Sequence, residues 1–356
     1  MTGRDHRTGL RYRFHMATER SRPVTLMDVA NEAGVSVSTA SRALTGVRRV
    51  RGDLEARVRT AVETLGYRPN EAARGLRMAR TMTLGVFLHQ LTSPVSLELI
   101  DGLGAAAHEA RYSLAVTSAR GNRALYASLF QHLYGQRVDG LVLVWPLGDL
   151  SAHLAPFVRA GVPVITIRSQ RGEPGLPVVS ADTTVGIGEA VNALAALGHR
   201  GMTVIAHGIL WTPPASRRRN LDMATEAVGM RLRRRSSRDA GLTVREIVAS
   251  ELSSADAPTV FLAPYAEVSE VIESIRALGK RVPEDVSVVS FADSRFGAAV
   301  QSERPAVIHV DSFELGRRMA QVLLDAIENG PPSEDVRIQG LARWVPGATV
   351  GPAPHR

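Results

Sequence analysis

The sequence predicts an α-helical helix-turn-helix headpiece followed by a two-lobed α/β body with parallel sheets. Three observations carry that expectation. Residues 24 to 44 hold two short helical patterns around a glycine, apolar runs alternate with helical stretches from residue 82 to 350, and positive charge is concentrated at the start of the chain. Residues 1–80 contain 16 arginines and 8 acids, whereas the remaining 276 residues contain 27 basic and 27 acidic side chains. A basic module joined to a neutral body is the electrostatic pattern of a phosphate-binding domain.

The headpiece is expected over 24–69. Thr25 stands where an N-cap belongs, and Leu26, Val29, Ala30 and Ala33 follow at helical spacing. Gly34 suits the left-handed backbone that ends one helix and redirects the chain. Val35 fills the corner, and Ser36 caps a second helix whose Ala40, Ala43 and Leu44 turn back to the first. Small residues belong there, because two steeply crossing helices this close leave no room for large ones. Val37, Ser38, Thr39, Ser41 and Arg42 remain outward. Their hydroxyls and guanidinium suit phosphates and base edges, and Val37 suits a thymine methyl. Leu54, Val58, Val62 and Leu65 mark a third helix near 53–65, which starts at Arg51-Gly52 without a side-chain cap. Tyr67 is expected to pack on this small core.

In the body, strands are expected at 83–88, 113–118, 140–144, 162–167, 202–206, 259–263 and 286–291. Helical stretches near 96–110, 123–136, 183–197, 266–278 and 313–328 separate them. Such alternation builds parallel sheets covered by helices on both faces, and the length implies two lobes. A body of that kind takes a small molecule beyond the carboxyl ends of its strands.

Composition narrows the chemistry. With no cysteine there is no disulfide framework and no thiolate ligand or nucleophile, and the ten histidines lack metal-ligand spacing. Neither a Gly-x-Ser-x-Gly elbow, nor a Walker A loop, nor a dinucleotide fingerprint occurs, so an enzyme is not expected and no cofactor is assigned. No apolar run approaches the roughly 20 residues of a membrane span, which makes a cytoplasmic protein the expectation. Residues 1–22 read as a disordered basic arm. Met16 begins a short leader that would serve as the true start; otherwise the arm adds nonspecific DNA affinity. The Pro/Gly-rich tail after 329 shows no heptads, so no tetramer-forming coiled coil is expected.

Val24-Thr25-Leu26, Asp28-Val29-Ala30, Ala33-Gly34-Val35-Ser36, Thr39, Ser41-Arg42 and Leu65-Gly66-Tyr67-Arg68-Pro69-Asn70 together resemble the headpiece of the lactose-repressor (LacI/GalR-type) transcription regulators. Looser similarity continues through the rest of the chain. The resemblance implies that Val37, Ser38 and Arg42 read bases in the major groove, while Thr25, Thr39, Ser41, Thr45 and Arg49 lie near the DNA backbone. It makes 70–80 a hinge that turns helical on operator DNA, with Asn70 and Ala73 near the DNA and Leu76 wedged into the minor groove. Periodicity alone does not separate such a hinge from a plain linker. Residues 82–350 become a periplasmic-binding-protein-like effector and dimerisation domain, with crossovers near 180, 310 and 339. The implied protein is a homodimeric repressor on a pseudo-palindromic operator, modulated by a small-molecule effector; the alternative is a ligand-independent regulator with a degenerate pocket.

Departures from the family pattern cluster in the cleft. Ser93-Pro94-Val95 replaces an Asn-Pro-aromatic turn, Asp222-Met223 a Gly-aromatic pair, and Pro264-Tyr265 an Asn-Asp. Ser290-Phe291-Ala292-Asp293 keeps one acid of two, and Arg219 aligns with the ligand-binding arginine. The Asp lost at Tyr265 removes an anchor worth about 1.5–3 kcal/mol, which disfavours a hydroxyl-rich sugar. A ligand with an apolar or aromatic part, stacking on Tyr265, Phe291 or Trp145, fits better. The effector-binding candidates are therefore Ser93, Arg219, Tyr265, Phe291 and Asp293. Arg231, Arg233, Arg234, Arg235 and Arg238, with Arg217 and Arg218, form a site for an anionic effector, a second DNA contact, or an ordinary solvated surface. The family's Arg-x-Ser-Thr ending has decayed to Pro346-Gly347-Ala348-Thr349.

Overall fold

The computed structural model describes residues 24–45, 50–67, 80–91, 94–167, 176–206, 215–236, 241–291 and 304–354. The chain divides into two compact units, with the boundary between Met78 and Ala79.

Three helices build the first unit: α1 (Leu26–Ala33), α2 (Val37–Thr45) and α3 (Gly52–Leu65). Its core is Val29, Ala30, Ala33, Ala40, Val58 and Ala61, with Leu26, Val35, Ala43, Val62, Leu65 and Tyr67 packed around them. Gly34 adopts φ +61°, and its N–H caps the Ala30 and Asn31 carbonyls. Arg51 offers α3 no side-chain cap. Leu44, expected to face inward, is exposed, because Ala40 and Ala43 already fill the crossing.

Apolar strands of the second unit form two sheets. In lobe 1, β1 (Thr83–Leu88), β2 (Ser113–Ser118), β3 (Gly140–Val144) and β4 (Val164–Thr166) pair in parallel in the order β2-β1-β3-β4. One face of this sheet is covered by α4 (Pro94–Glu109) and α11 (Ser312–Asn329), through Leu99, Leu103, Leu315, Met319 and Leu323. The other is covered by α5 (Tyr126–Gly135) and α6 (Ser151–Arg159), through Tyr126, Phe130, Leu154 and Phe157. Helices α4 and α11 cross at glycines: a Cβ on Gly102 would strike the Phe313 carbonyl, and one on Gly316 the Leu99 carbonyl.

Lobe 2 has the order β12-β10-β9-β8-β6-β7, parallel except where β12 runs against β10. Its strands are β6 (Gly201–Ala206), β7 (Arg231–Ser236), β8 (Val260–Pro264), β9 (Ser287–Phe291), β10 (Ala306–Val310) and β12 (Ala342–Val345). Helices α7 (Thr184–Ala196) and α8 (Ala215–Ala227) cover one face, α9 (Val244–Leu252) and α10 (Val268–Ala277) the other. Between the lobes, β5 (Val179–Ala181) pairs with β11 (Val336–Ile338). Three passages of chain bond side by side there: Asp182 N–H donates to the Ile338 carbonyl, the Gln339 amide to the Asp182 carboxylate, and Asp311 N–H to the Leu341 carbonyl.

Strands at 83–88, 113–118 and 140–144 stand where apolar runs predicted them, whereas the run at 162–167 shortens to Val164–Thr166. Strand β7 was not expected, because Arg-Leu-Arg-Arg-Arg-Ser carries no apolar alternation. Thr349 survives the decay of its motif: its hydroxyl donates to the Val288 carbonyl at 2.6 Å and accepts from Ala306 N at 3.0 Å, joining β9 to β10.

Candidate DNA-reading surface and ligand cleft

On the headpiece, the start of α1 is fixed by a reciprocal cap. Thr25 N–H and hydroxyl donate to Asp28 Oδ2 at 2.8 and 2.7 Å, and Asp28 N–H returns to Thr25 Oγ1 at 3.4 Å. Thr25 is thus a cap before it is anything else. At the start of α2, Ser36 Oγ accepts from Thr39 N at 3.1 Å and lies 2.9 and 2.8 Å from the Ser38 and Thr39 hydroxyls. These serines and threonine form one hydroxyl patch on the first turn of α2. Arg42, one turn on, ties its Nε to the Ser38 carbonyl at 3.1 Å, which holds the exposed guanidinium over the same stripe.

Ser38 and Arg42 are exposed, and Thr39 and Ser41 half-buried. Val37 was expected fully outward; it is half-buried and packs against the core, so only part of its side chain faces solvent. Of Thr45 the backbone is described, as the last residue of α2. Arg49, Asn70, Ala73 and Leu76 lie outside the described residues, as do residues 70–79 of the hinge and the basic arm.

The ligand cleft follows from topology. In an open parallel sheet a crevice forms where neighbouring strands send their following helices to opposite faces. In lobe 1 these strands are β1, followed by α4, and β3, followed by α6. In lobe 2 they are β6, followed by α8, and β8, followed by α10.

His89 and Trp145 therefore flank the lobe 1 crevice. His89 is buried, with Nδ1 2.9 Å from the Tyr126 hydroxyl, which itself accepts from Leu147 N at 3.2 Å. The Tyr126 hydroxyl thus ties His89, at the end of β1, to the backbone that follows β3. Burial, aided by the charge of Arg123, lowers the His89 pKa and keeps the ring neutral. Trp145 departs from strand alternation. Val142 and Val144 face α4 and α11, so the next residue should face α5 and α6; instead φ +47° turns Trp145 back onto the α4/α11 side, where it is half-buried. A bulky residue in that region is strained, and such strain gathers at functional sites.

Tyr265 and Glu267 follow β8 in a single 3-10 turn leading into α10. Tyr265 is half-buried. Glu267 escaped the sequence reading, although an acid two residues past a lost Asp was a signal. Its Oε2 is buried without a hydrogen-bond partner. Burial raises its carboxyl to about 7; its own backbone N–H works against that rise and the charge of Glu270 adds to it.

Two further candidates are placed differently from expectation. Phe291 is 3% exposed: it packs in the lobe 2 core, with the Arg217 guanidinium 4.1 Å from its ring centre. Arg219 is exposed and shares its side of α8 with exposed Asp222, Met223 and Glu226, so the inward arginine is Arg217. Ser93 and Asp293 lie outside the described residues. Among the described residues no group of His, Asp and Glu could hold a metal ion, and no helix is long and apolar enough to cross a membrane.

Of the arginine cluster, the four on the edge strand β7 form ion pairs, and Arg238 lies outside the described residues. Arg231 meets Asp256 at 2.7 Å, Arg234 meets Asp222 at 2.6 Å, and Arg233 and Arg235 both reach Glu251, at 3.4 and 2.6 Å. Glu251 is 3% exposed and also accepts from the Thr203 hydroxyl at 2.8 Å. Charged side chains along an edge strand discourage pairing with another sheet.

Residues 25–70 match the family described as bacterial regulatory proteins, lacI family, and residues 191–350 match the periplasmic binding protein-like domain. The HTH-type transcriptional regulator CelR of Thermobifida fusca is 31% identical over 339 residues, covering 90% of this chain and 96% of that protein. Catabolite control protein A of Priestia megaterium is 27% identical over 302 residues, covering 80% and 87%. Among solved structures, the lac repressor dimer bound to operator and the anti-inducer ONPF superposes with a TM-score of 0.75 at 22% identity, over 93% of this chain and 100% of that one. The CelR–cellobiose complex gives 0.61 at 26%, over 92% and 100%. With a helix-turn-helix domain ahead of a two-lobed α/β body, and with that likeness to CelR along nearly its whole length, the chain belongs to the lacI family of bacterial transcription regulators.

Proposed function

We propose that the protein is a homodimeric repressor that binds a pseudo-palindromic operator and releases or tightens its grip when a small molecule enters the interlobe cleft. The observation that carries the DNA half is the hydroxyl and guanidinium stripe of Ser38, Thr39, Ser41 and Arg42 on α2, within the first 80 residues that together hold the chain's excess positive charge. Two headpieces related by a two-fold axis would place one such helix in each of two successive major grooves. Asn70, Ala73 and Leu76 would act at the centre of the site, where a wedge unstacks a flexible step.

The effector half rests on the paired switch-point crevices, flanked by Trp145 in one lobe and Tyr265 in the other. A ligand there acts only through a difference in its affinity for two states, a coupling usually of about 1–3 kcal/mol. The three adjacent interlobe passages are where lobe closure would be felt. Selection of binding sites from random duplex DNA by the full-length protein tests this reading. Enrichment of a two-fold symmetric site supports it. Enrichment of asymmetric half-sites removes the dimer, and enrichment of none removes direct operator recognition.

A further inference from the structure

Two residues at the switch points have features that the fold alone does not explain. The first is the face reversal of Trp145. Continuing the strand would bury its indole against α5 and α6, beside Phe87, Tyr126 and Phe130, where aromatic packing is already dense. Instead a left-handed residue followed by Pro146 turns the ring to the other side of β3 and leaves it half-buried at the crevice. A bulky side chain is unfavourable in that backbone region, and sequence continuation of the strand would not require it. The second is Glu267. A carboxyl oxygen sealed from water and without a donor is costly unless it is protonated or meets a cation. The charge that acts on it is that of Glu270, of the same sign. Of those two resolutions, a cation would supply both the charge and the hydrogen-bond donors that this oxygen lacks.

We infer that the effector is a ring-bearing amine, its ring stacked on Trp145 of lobe 1 and its ammonium bound by Glu267 beside Tyr265 of lobe 2. This rests on the reading of the interlobe cleft as the effector site. Binding across both crevices would draw the lobes together, since neither wall alone holds both ends of the ligand. Glu267 also compensates in kind for the acid replaced by Tyr265: an acceptor stays in the lobe 2 wall, displaced by two residues and placed in drier surroundings. There a cation gains more than a neutral hydroxyl does, because the charge-assisted bond strengthens as water is excluded.

The test uses matched pairs that differ in one group: tyramine against 4-(2-hydroxyethyl)phenol, and cyclohexylmethylamine against cyclohexylmethanol. Each is titrated into full-length protein at pH 8, with tryptophan emission and melting temperature as readouts. In the wild type the amine of at least one pair is expected to quench emission and raise the melting temperature. Its hydroxyl partner should need about tenfold more ligand or above, the margin of a charge-assisted bond. Glu267→Gln should erase that preference without lowering the melting temperature of the unliganded protein. Trp145→Phe should retain binding but lose the quenching, and Trp145→Ala should weaken binding by about tenfold. The inference is overturned if neither amine binds below about 10 mM, if hydroxyl partners bind as well, or if Glu267→Gln keeps the preference. Operator affinity, measured with and without each compound and with cellobiose as a probe of another class, separates this inference from the cleft reading. If cellobiose shifts operator binding alike in the wild type and both variants, the cleft reading stands and the amine falls. If an amine binds through Glu267 yet leaves operator affinity unchanged, the amine site stands and its regulatory role falls.

Discussion

Substituting Glu251 by Gln decides whether the arginine-rich edge of lobe 2 is architecture or an anion site. In the native protein this carboxylate accepts from Thr203 at 2.8 Å, Arg235 at 2.6 Å and Arg233 at 3.4 Å, and is 3% exposed. A glutamine oxygen can keep the Thr203 bond, but its amide group then points donors at a guanidinium. The Arg235 bond is then lost, and the Arg233 bond, made to the same oxygen as that of Thr203, loses its charge assistance; a charge-assisted bond is worth about 1.5–3 kcal/mol in a dry site. Arg233 and Arg235 are 29% and 49% exposed, so water recovers part of this loss. The expected cost is about 2–3 kcal/mol, which lowers the melting temperature of a body this size by roughly 5 °C. The pH dependence gives a second signature. Burial raises the Glu251 pKa, but Thr203, Arg235 and Arg233 together outweigh it and hold the group below its ordinary value. Its contribution is therefore present above the usual glutamate range and fades as pH falls through the lower folded-state pKa. Wild type and variant should converge in acid. Thermal melts at pH 7.5 and in an acid series are the assay. A melting temperature within 1 °C of wild type at pH 7.5, with phosphate ion stabilising the variant more, would refute the structural reading.

Other perturbations test other parts. Gly316→Ala forces a methyl into the Leu99 carbonyl, so α4 and α11 must separate; a loss of about 1–3 kcal/mol or more is expected in urea melts of the body. Gly34→Ala places a side chain at φ +61°, costing the headpiece about 1–2 kcal/mol, and should weaken operator binding while leaving the body's melting temperature unchanged. His199 is fully buried, 2.8 Å from Thr259 Oγ1 and 2.9 Å from the Gly351 carbonyl. Burial lowers its pKa, with the Gly351 carbonyl opposing, so the unfolded chain binds the proton more tightly. Stability should therefore fall as pH drops below about 6.5, and His199→Asn should flatten part of that slope, leaving the share of His89.

The sequence made the headpiece readable nearly residue by residue because its signals are local: a cap at Thr25, a glycine where φ turns positive, and apolar positions at helical spacing. Central strands were equally plain, since β1 and β3 are buried on both faces and read as continuous apolar runs. The edge strand β7 was not, because its arginines serve ion pairs with distant acids that no local pattern announces. Helix α9 escaped even though Thr243 and Glu246 form a capping box visible in the sequence. In the cleft, sequence reasoning named residues at strand ends but carried no information on side-chain directions. Phe291 lies beneath Arg217, Arg219 faces outward, and the buried acid is Glu267; these follow from helix phase and tertiary cover.

The central claim is that α2 reads base sequence. Fluorescence anisotropy of the full-length protein on its selected site and on a scrambled duplex, at one fixed salt concentration, tests it most directly. The wild type should prefer the selected site by about 10³-fold or more. Arg42→Ala should cost about 1–3 kcal/mol on that site and much less on the scrambled one, so the ratio collapses. An unchanged ratio, with both affinities falling together, would mean that Arg42 contacts phosphates alone and that sequence is read elsewhere.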